Sequence, residues 1–89
     1  MEKLKIIGGK KILSKTISVN TVESEIAERL ENIQKKFRNI EIGSYPFFRL
    51  GKVGVSIVMR STEEDEIDDC SRKIISFIKE KKIRIINRE

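Results

Sequence analysis

At 89 residues, with 38% hydrophobic and 37% charged side chains and a formal net charge of +5, the chain is one small domain; its core must be efficient, because a domain of this size buries only about 60% of the surface its unfolded chain exposes. Cys70 is the single cysteine, which excludes an internal disulfide and the secreted scaffolds built on them, so a reducing cytoplasm is the expected setting. The N-terminus lacks the apolar run of a signal peptide, and no stretch approaches the ~18 apolar residues of a membrane span.

Residues 1–11 mix lysines with Leu4, Ile6 and Ile7 and reach the pair Gly8-Gly9. They read as a lead-in with a flexible joint, the stub of a connection from a preceding domain, and leave 12–89 as the α+β domain proper. From Ile12 to Val19 the pattern has period two. Leu13, Ile17 and Val19 fall on one side and Ser14, Thr16 and Ser18 on the other, so a half-buried strand with a small polar outer face is predicted. Asn20 or Thr21 is the expected cap of a first helix, with Glu23 as capping-box partner. Val22, Ile26, Leu30, Ile33 and Phe37 make its apolar stripe, and acids at its start and lysines at its end oppose the helix dipole.

Ile40 and Ile42 predict a short second strand that runs into Gly43-Ser44-Tyr45-Pro46-Phe47-Phe48-Arg49, the densest aromatic patch in the chain. Pro46 cannot donate to a ladder, so there the chain must be at a sheet edge or already leaving it. Arg49-Leu50-Gly51-Lys52 reads as a hairpin turn around Gly51. The third strand, Val53 to Arg60, alternates Val53, Val55, Ile57 and Met59 inward with Gly54, Ser56, Val58 and Arg60 outward. Ser61-Thr62-Glu63-Glu64 has the form of a capping box for a second helix striped by Ile67, Cys70, Ile74, Phe77 and Ile78, and Ile83 to Ile86 adds a last strand. The predicted fold is a ferredoxin-like two-layer sandwich, β-α-β-β-α-(β), in which an antiparallel sheet carries both helices on one face.

Catalytic parts are sparse. The chain has no histidine, and one cysteine cannot build a zinc site. Asp65, Asp68 and Asp69 lack the spacing of a calcium loop, and helix-start charge accounts for them. Cys70 sits in an apolar stripe beside two aspartates, the setting of a core thiol rather than a nucleophile. No catalytic residue, metal or cofactor is therefore expected in this chain. Lys10, Lys11, Lys15 and Lys52 are the candidate anion contacts of a nucleic-acid-binding alternative. That reading is disfavoured, because neither Ile12–Val19 nor Lys52–Met59 carries the aromatic that base stacking needs. An interaction patch is expected at Ser44, Tyr45, Pro46, Phe47, Phe48 and Arg49, or on the small-residue face of Ser14, Thr16, Ser18 and Ser56, since aromatics and arginine dominate interface energetics.

Ser14-Lys15-Thr16-Ile17, the Gly43-to-Phe48 run, Gly51-Lys52-Val53-Gly54 and Val58-Met59-Arg60-Ser61-Thr62 together resemble the C-terminal domain of CinA-like proteins that carry a molybdopterin-binding-type domain. The likeness spans roughly residues 7–81 and extends to the region of eukaryotic FAD synthases between their molybdopterin-binding-like and synthase domains. The resemblance implies that the nucleotide site of such proteins belongs to the larger domain, whose relatives are associated with hydrolysis of the pyrophosphate bond of compounds such as ADP-ribose or FAD. No catalytic residue of the family falls on this chain. The resemblance thus implies a non-catalytic accessory domain whose partner is the molybdopterin-binding-like domain of the same protein or a second copy; the lack of a long apolar run separately predicts no membrane association.

Overall fold

The computed structural model describes residues 6–7, 10–49 and 51–88, with side chains over 11–49 and 51–87. Met1 to Lys5, the Gly8-Gly9 joint, the side chain of Lys10 and Leu50 of the hairpin turn lie outside the described residues. Two short strands, β1 (Ile6–Ile7) and β2 (Lys10–Lys11), pair antiparallel as a separate ribbon. Then come β3 (Leu13–Asn20), α1 (Glu23–Lys36), β4 (Glu41–Arg49), β5 (Lys52–Ser61), α2 (Glu64–Glu80) and β6 (Arg84–Arg88). The last four strands form one antiparallel sheet in the order β4-β5-β3-β6. Consecutive strands β4 and β5 share a hairpin, while β3 and β6 lie side by side after helical crossovers, as the ferredoxin-like prediction requires.

Alternation decides the layers. Ile17 and Val19 of β3, and Val55, Ile57 and Met59 of β5, are buried toward the helices. Against them pack Ile26 and Leu30 of α1, Ile40, and Ile67, Cys70, Ile74, Phe77 and Ile78 of α2, with Leu13, Ile33, Phe37, Ile42 and Ile85 at the margin. Arg29 spans the seam between the helices. Its guanidinium lies 5.1 Å from the centroid of the Phe77 ring and 2.9 Å from Glu80 Oε1.

The helix starts differ from the capping-box expectation. α1 is capped at Val22, without a side-chain hydrogen bond, because β3 continues through Asn20 to pair with Arg84. At α2 the cap is Glu63, again without a side-chain cap bond. Ser61, the expected cap, belongs to β5 opposite Leu13, and its Oγ accepts the Glu63 N–H at 3.1 Å instead. Val22, placed in the apolar stripe by spacing, is 45% exposed. The end of α2 closes regularly: Ile83 N–H donates to Ile78 C=O and Lys82 N–H to Lys79 C=O, both at 3.0 Å, and Lys82 takes φ 61° where glycine is the usual residue.

Pro46 does not end β4. The strand runs nine residues, to Arg49, far beyond the predicted Ile40–Ile42. Ile42 N–H points away from β5, since it donates to the Gln34 side chain, and residues two apart in an antiparallel strand point the same way. The position of the missing Pro46 N–H is therefore on the free edge, and no ladder bond is lost.

Cys70 is fully buried, and that burial, with a smaller contribution from Asp69, pushes its thiol up to about 11. The native protein is expected to resist a thiol reagent at pH 8 and to react stoichiometrically once unfolded; rapid labelling of the native state in a time course would contradict this placement.

Candidate functional site

The hairpin β4–β5 outruns the rest of the sheet. β3 pairs with β5 only as far as Val19 opposite Val55, whereas β4 and β5 continue together through Phe47 opposite Gly54, Phe48 opposite Val53 and Arg49 opposite Lys52. Residues 47–49 and 52–54 thus form a two-stranded arm. Neither does α1 reach over it, for Glu23, the first helical residue, sits above Ser44 and accepts its hydroxyl hydrogen bond at 2.6 Å.

Alternation splits the predicted patch between the two faces of this arm. Ser44, Pro46 and Phe48 fall on the helix side, opposite Ile57, Val55 and Val53. Past the end of the helix layer that side has no cover: Phe48 is 72% exposed and Val53 40%. Tyr45, Phe47 and Arg49 fall on the open face of the sheet, opposite Ser56, Gly54 and Lys52.

On the open face each ring rests against a glycine. A Cβ added at Gly43 would meet the Tyr45 hydroxyl at 2.9 Å and its ring carbons at 3.2 Å, and one added at Gly54 would clash with the edge of the Phe47 ring, 2.3 Å from its Cζ. Only hydrogen at these two positions lets the rings lie close to the sheet, an arrangement known to stabilise strand glycines. The Arg49 guanidinium stands 6.0 Å from the Phe47 centroid. Beside the rings Ser18 and Ser56, directly paired across β3 and β5, join their hydroxyls at 3.1 Å. On the far side a bulge in β6 turns both Ile86 and Asn87 toward the same hollow. Together these residues bound a groove of about 410 Å³.

The other small-residue positions, Ser14 and Thr16, lie further along the open face opposite Arg60 and Val58. Of the four candidate anion contacts, the side chain of Lys10 lies outside the described residues and the other three do not gather. Lys11 is exposed on the ribbon. Lys15 faces the helices and ion-pairs with Asp68 at 2.8 Å, which holds that carboxyl below its usual range. Lys52 is on the arm, on the open face. What the sequence did not disclose is the charge of that face. By register it presents Arg49, Lys52, Arg60 and Arg84, and the four strands contain a single carboxylate, Glu41. The acids are concentrated on the helices and the turns leading into them.

A larger hollow of about 570 Å³ lies at the opposite end of β5, between Arg38, Arg60 and Thr62. Its Gln34 amide and Ser61 hydroxyl are committed to backbone groups, so it offers a ligand little beyond surface charges of both signs. Among the described residues no group of three or more Cys, Asp or Glu side chains is placed to hold a metal ion, and no helix is long and apolar enough to cross a membrane.

The family model described as FAD synthase, middle domain, matches residues 11–86. No curated protein and no solved structure matches the chain.

Proposed function

We propose, from the premise that the chain belongs to the FAD synthase middle-domain family, that it is a non-catalytic accessory domain which docks onto a neighbouring domain through the helix-side face of its hairpin arm. A middle domain by definition has neighbours. The observation that carries the reading is Phe48, a large aromatic 72% exposed on an arm with no helix over it. Val53 beside it extends the apolar face, and Val22, 45% exposed, leaves the adjoining helix start apolar as well. Isolated two-stranded arms are marginal in water, and a partner that covers this one stabilises it while burying an aromatic anchor.

The partner we infer is a molybdopterin-binding-like domain of the same protein, as in the CinA-like and FAD synthase arrangements the sequence resembles. The catalytic groups of the assembly, whether for nucleotide pyrophosphate hydrolysis or another reaction, would then belong to that partner. The chain itself offers no histidine, and its thiol is buried. Residues 12–89 act as the domain, and the setting is cytoplasmic.

Phe48→Ala is expected to leave the far-ultraviolet circular dichroism unchanged and to weaken association with the molybdopterin-binding-like domain by about 2 kcal/mol or more, as truncation of an interface anchor does. Titration calorimetry between the two domains measures it. Equal affinity of the variant and the wild type would refute docking through this face.

A further inference from the structure

The open face carries four cations against one carboxylate, and its groove combines an exposed ring with paired hydroxyls and an apolar wall. These are the requirements of one ligand chemistry, a planar heteroaromatic ring joined to a phosphate. Tyr45 is 53% exposed, with part of its ring held against Gly43 and the rest open to the groove. Ile86, 49% exposed, supplies the facing apolar surface. Between them the Ser18 and Ser56 hydroxyls bond each other in a pair that retains acceptor capacity toward an exocyclic amine or ring N–H. Arg49 and Lys52, opposite each other at the mouth of the arm, enter no ion pair among the described residues and form the cationic end.

We infer that this groove is a nucleotide site, with the base stacked on Tyr45 over the Ser18–Ser56 pair and the phosphate held by Arg49 and Lys52. The occupant is a free nucleotide rather than a strand. At about 410 Å³ the groove falls at the small end of the ~300–1,000 Å³ typical of small-molecule sites. The second ring of the face, Phe47, lies against Gly54 beneath Arg49 and leaves Tyr45 as the exposed stacking surface. Docking uses the opposite side of the arm, through Phe48, so this inference stands apart from the proposed function and either can fail without the other.

The test exploits composition. Tyr45 is the only tyrosine and the chain has no tryptophan, so its ring protons are a unique reporter in one-dimensional and aromatic-edited NMR. Millimolar AMP added to the 89-residue chain is expected to shift those protons upfield with saturation. Pyrophosphate alone should leave them in place. Followed through the Asn87 backbone amide, Tyr45→Ala should bind AMP about tenfold more weakly and Tyr45→Phe with wild-type affinity, because stacking needs the ring and not the hydroxyl. Gly43→Val, which keeps the tyrosine but lifts it from the sheet, should match Tyr45→Ala. Lys52→Glu should also weaken binding and flatten its salt dependence. The inference is overturned if AMP gives no saturable shift, if Tyr45→Ala binds AMP as the wild type does, or if AMP is silent while a short single-stranded oligoadenylate binds, which would assign the face to a nucleic-acid strand.

Discussion

Replacing Ile57 with alanine is expected to lower the unfolding free energy by about 2–5 kcal/mol, the usual cost of truncating a fully buried aliphatic side chain that cannot be refilled. Ile57 is fully buried in β5, one of the two central strands, opposite Ile17 on one side and Ser44 on the other. A domain of this length has a total stability on the order of 5–13 kcal/mol, so the variant retains little margin. Val58, the next residue, points to the open face opposite Gly43 and Thr16. Val58→Ala should cost less than about 1 kcal/mol, since its side chain is only half-buried there. Urea denaturation reads both as shifts of the midpoint at unchanged slope. Equal losses at the two positions would mean that the helices do not cover the face that β5 assigns to them.

Gln34→Leu is expected to cost about 1–3 kcal/mol although it removes no core contact. The Gln34 amide donates to Ile40 C=O at 2.5 Å and to Phe37 C=O at 3.1 Å, and its carbonyl accepts the Ile42 N–H at 3.0 Å. Bonding the C=O of one residue and the N–H two residues on is what a neighbouring strand would do. One side chain of α1 thus acts as a short strand against the free edge of β4 and fixes where that strand begins. Leucine leaves the Ile40 C=O and the Ile42 N–H without their partner, each a desolvation cost, while the Phe37 C=O keeps the Ile40 N–H at 3.1 Å; it also bares an edge that favours self-pairing. Gln34→Glu keeps the acceptor but sets a carboxylate against two carbonyl oxygens. Relative to the wild type at the same pH it should do worse at pH 7 than at pH 4, where the protonated acid can donate again. Wild-type stability for Gln34→Leu, with no gain in self-association by sedimentation velocity, would remove the clamp from the account of the fold.

How much of this was legible beforehand differs from element to element. The stripe Ile67, Cys70, Ile74, Phe77 and Ile78 is legible from its spacing, because helical periodicity is local and a buried stripe is the way such a helix stabilises itself. Of the expected caps, Asn20, offered with Thr21, and Ser61 are displaced for one shared reason. Asn20 and Ser61 have good capping chemistry, but both were drawn into strands whose ladder bonds outweigh a cap. The extent of β4 stays open in the sequence because Pro46 fits either a sheet edge or a chain leaving the sheet until the direction of its nitrogen is known; the structure shows the edge. Once β4 is extended, Tyr45, Phe47 and Arg49 acquire a common face, and Gly54 opposite Phe47 acquires a reason to be glycine. The alternation through 45, 47 and 49 was the available signal, masked by three aromatics within four residues. Ile86 and Asn87 carried no signal, since a bulge defeats the period-two rule by which strand faces are assigned.

The amino-acid order alone determined the two helices, the inner residues of β3 and β5 and the ferredoxin-like arrangement that follows from them. Each rests on periodicity between near neighbours, and burial of one oily face is enough to enforce it. Tertiary pairing decided the arm, the division of its aromatics between two faces and the separation of cations on the open sheet from acids on the helices. Those features depend on where one strand stops against another, a register that residues far apart in the chain set together and that no local pattern encodes.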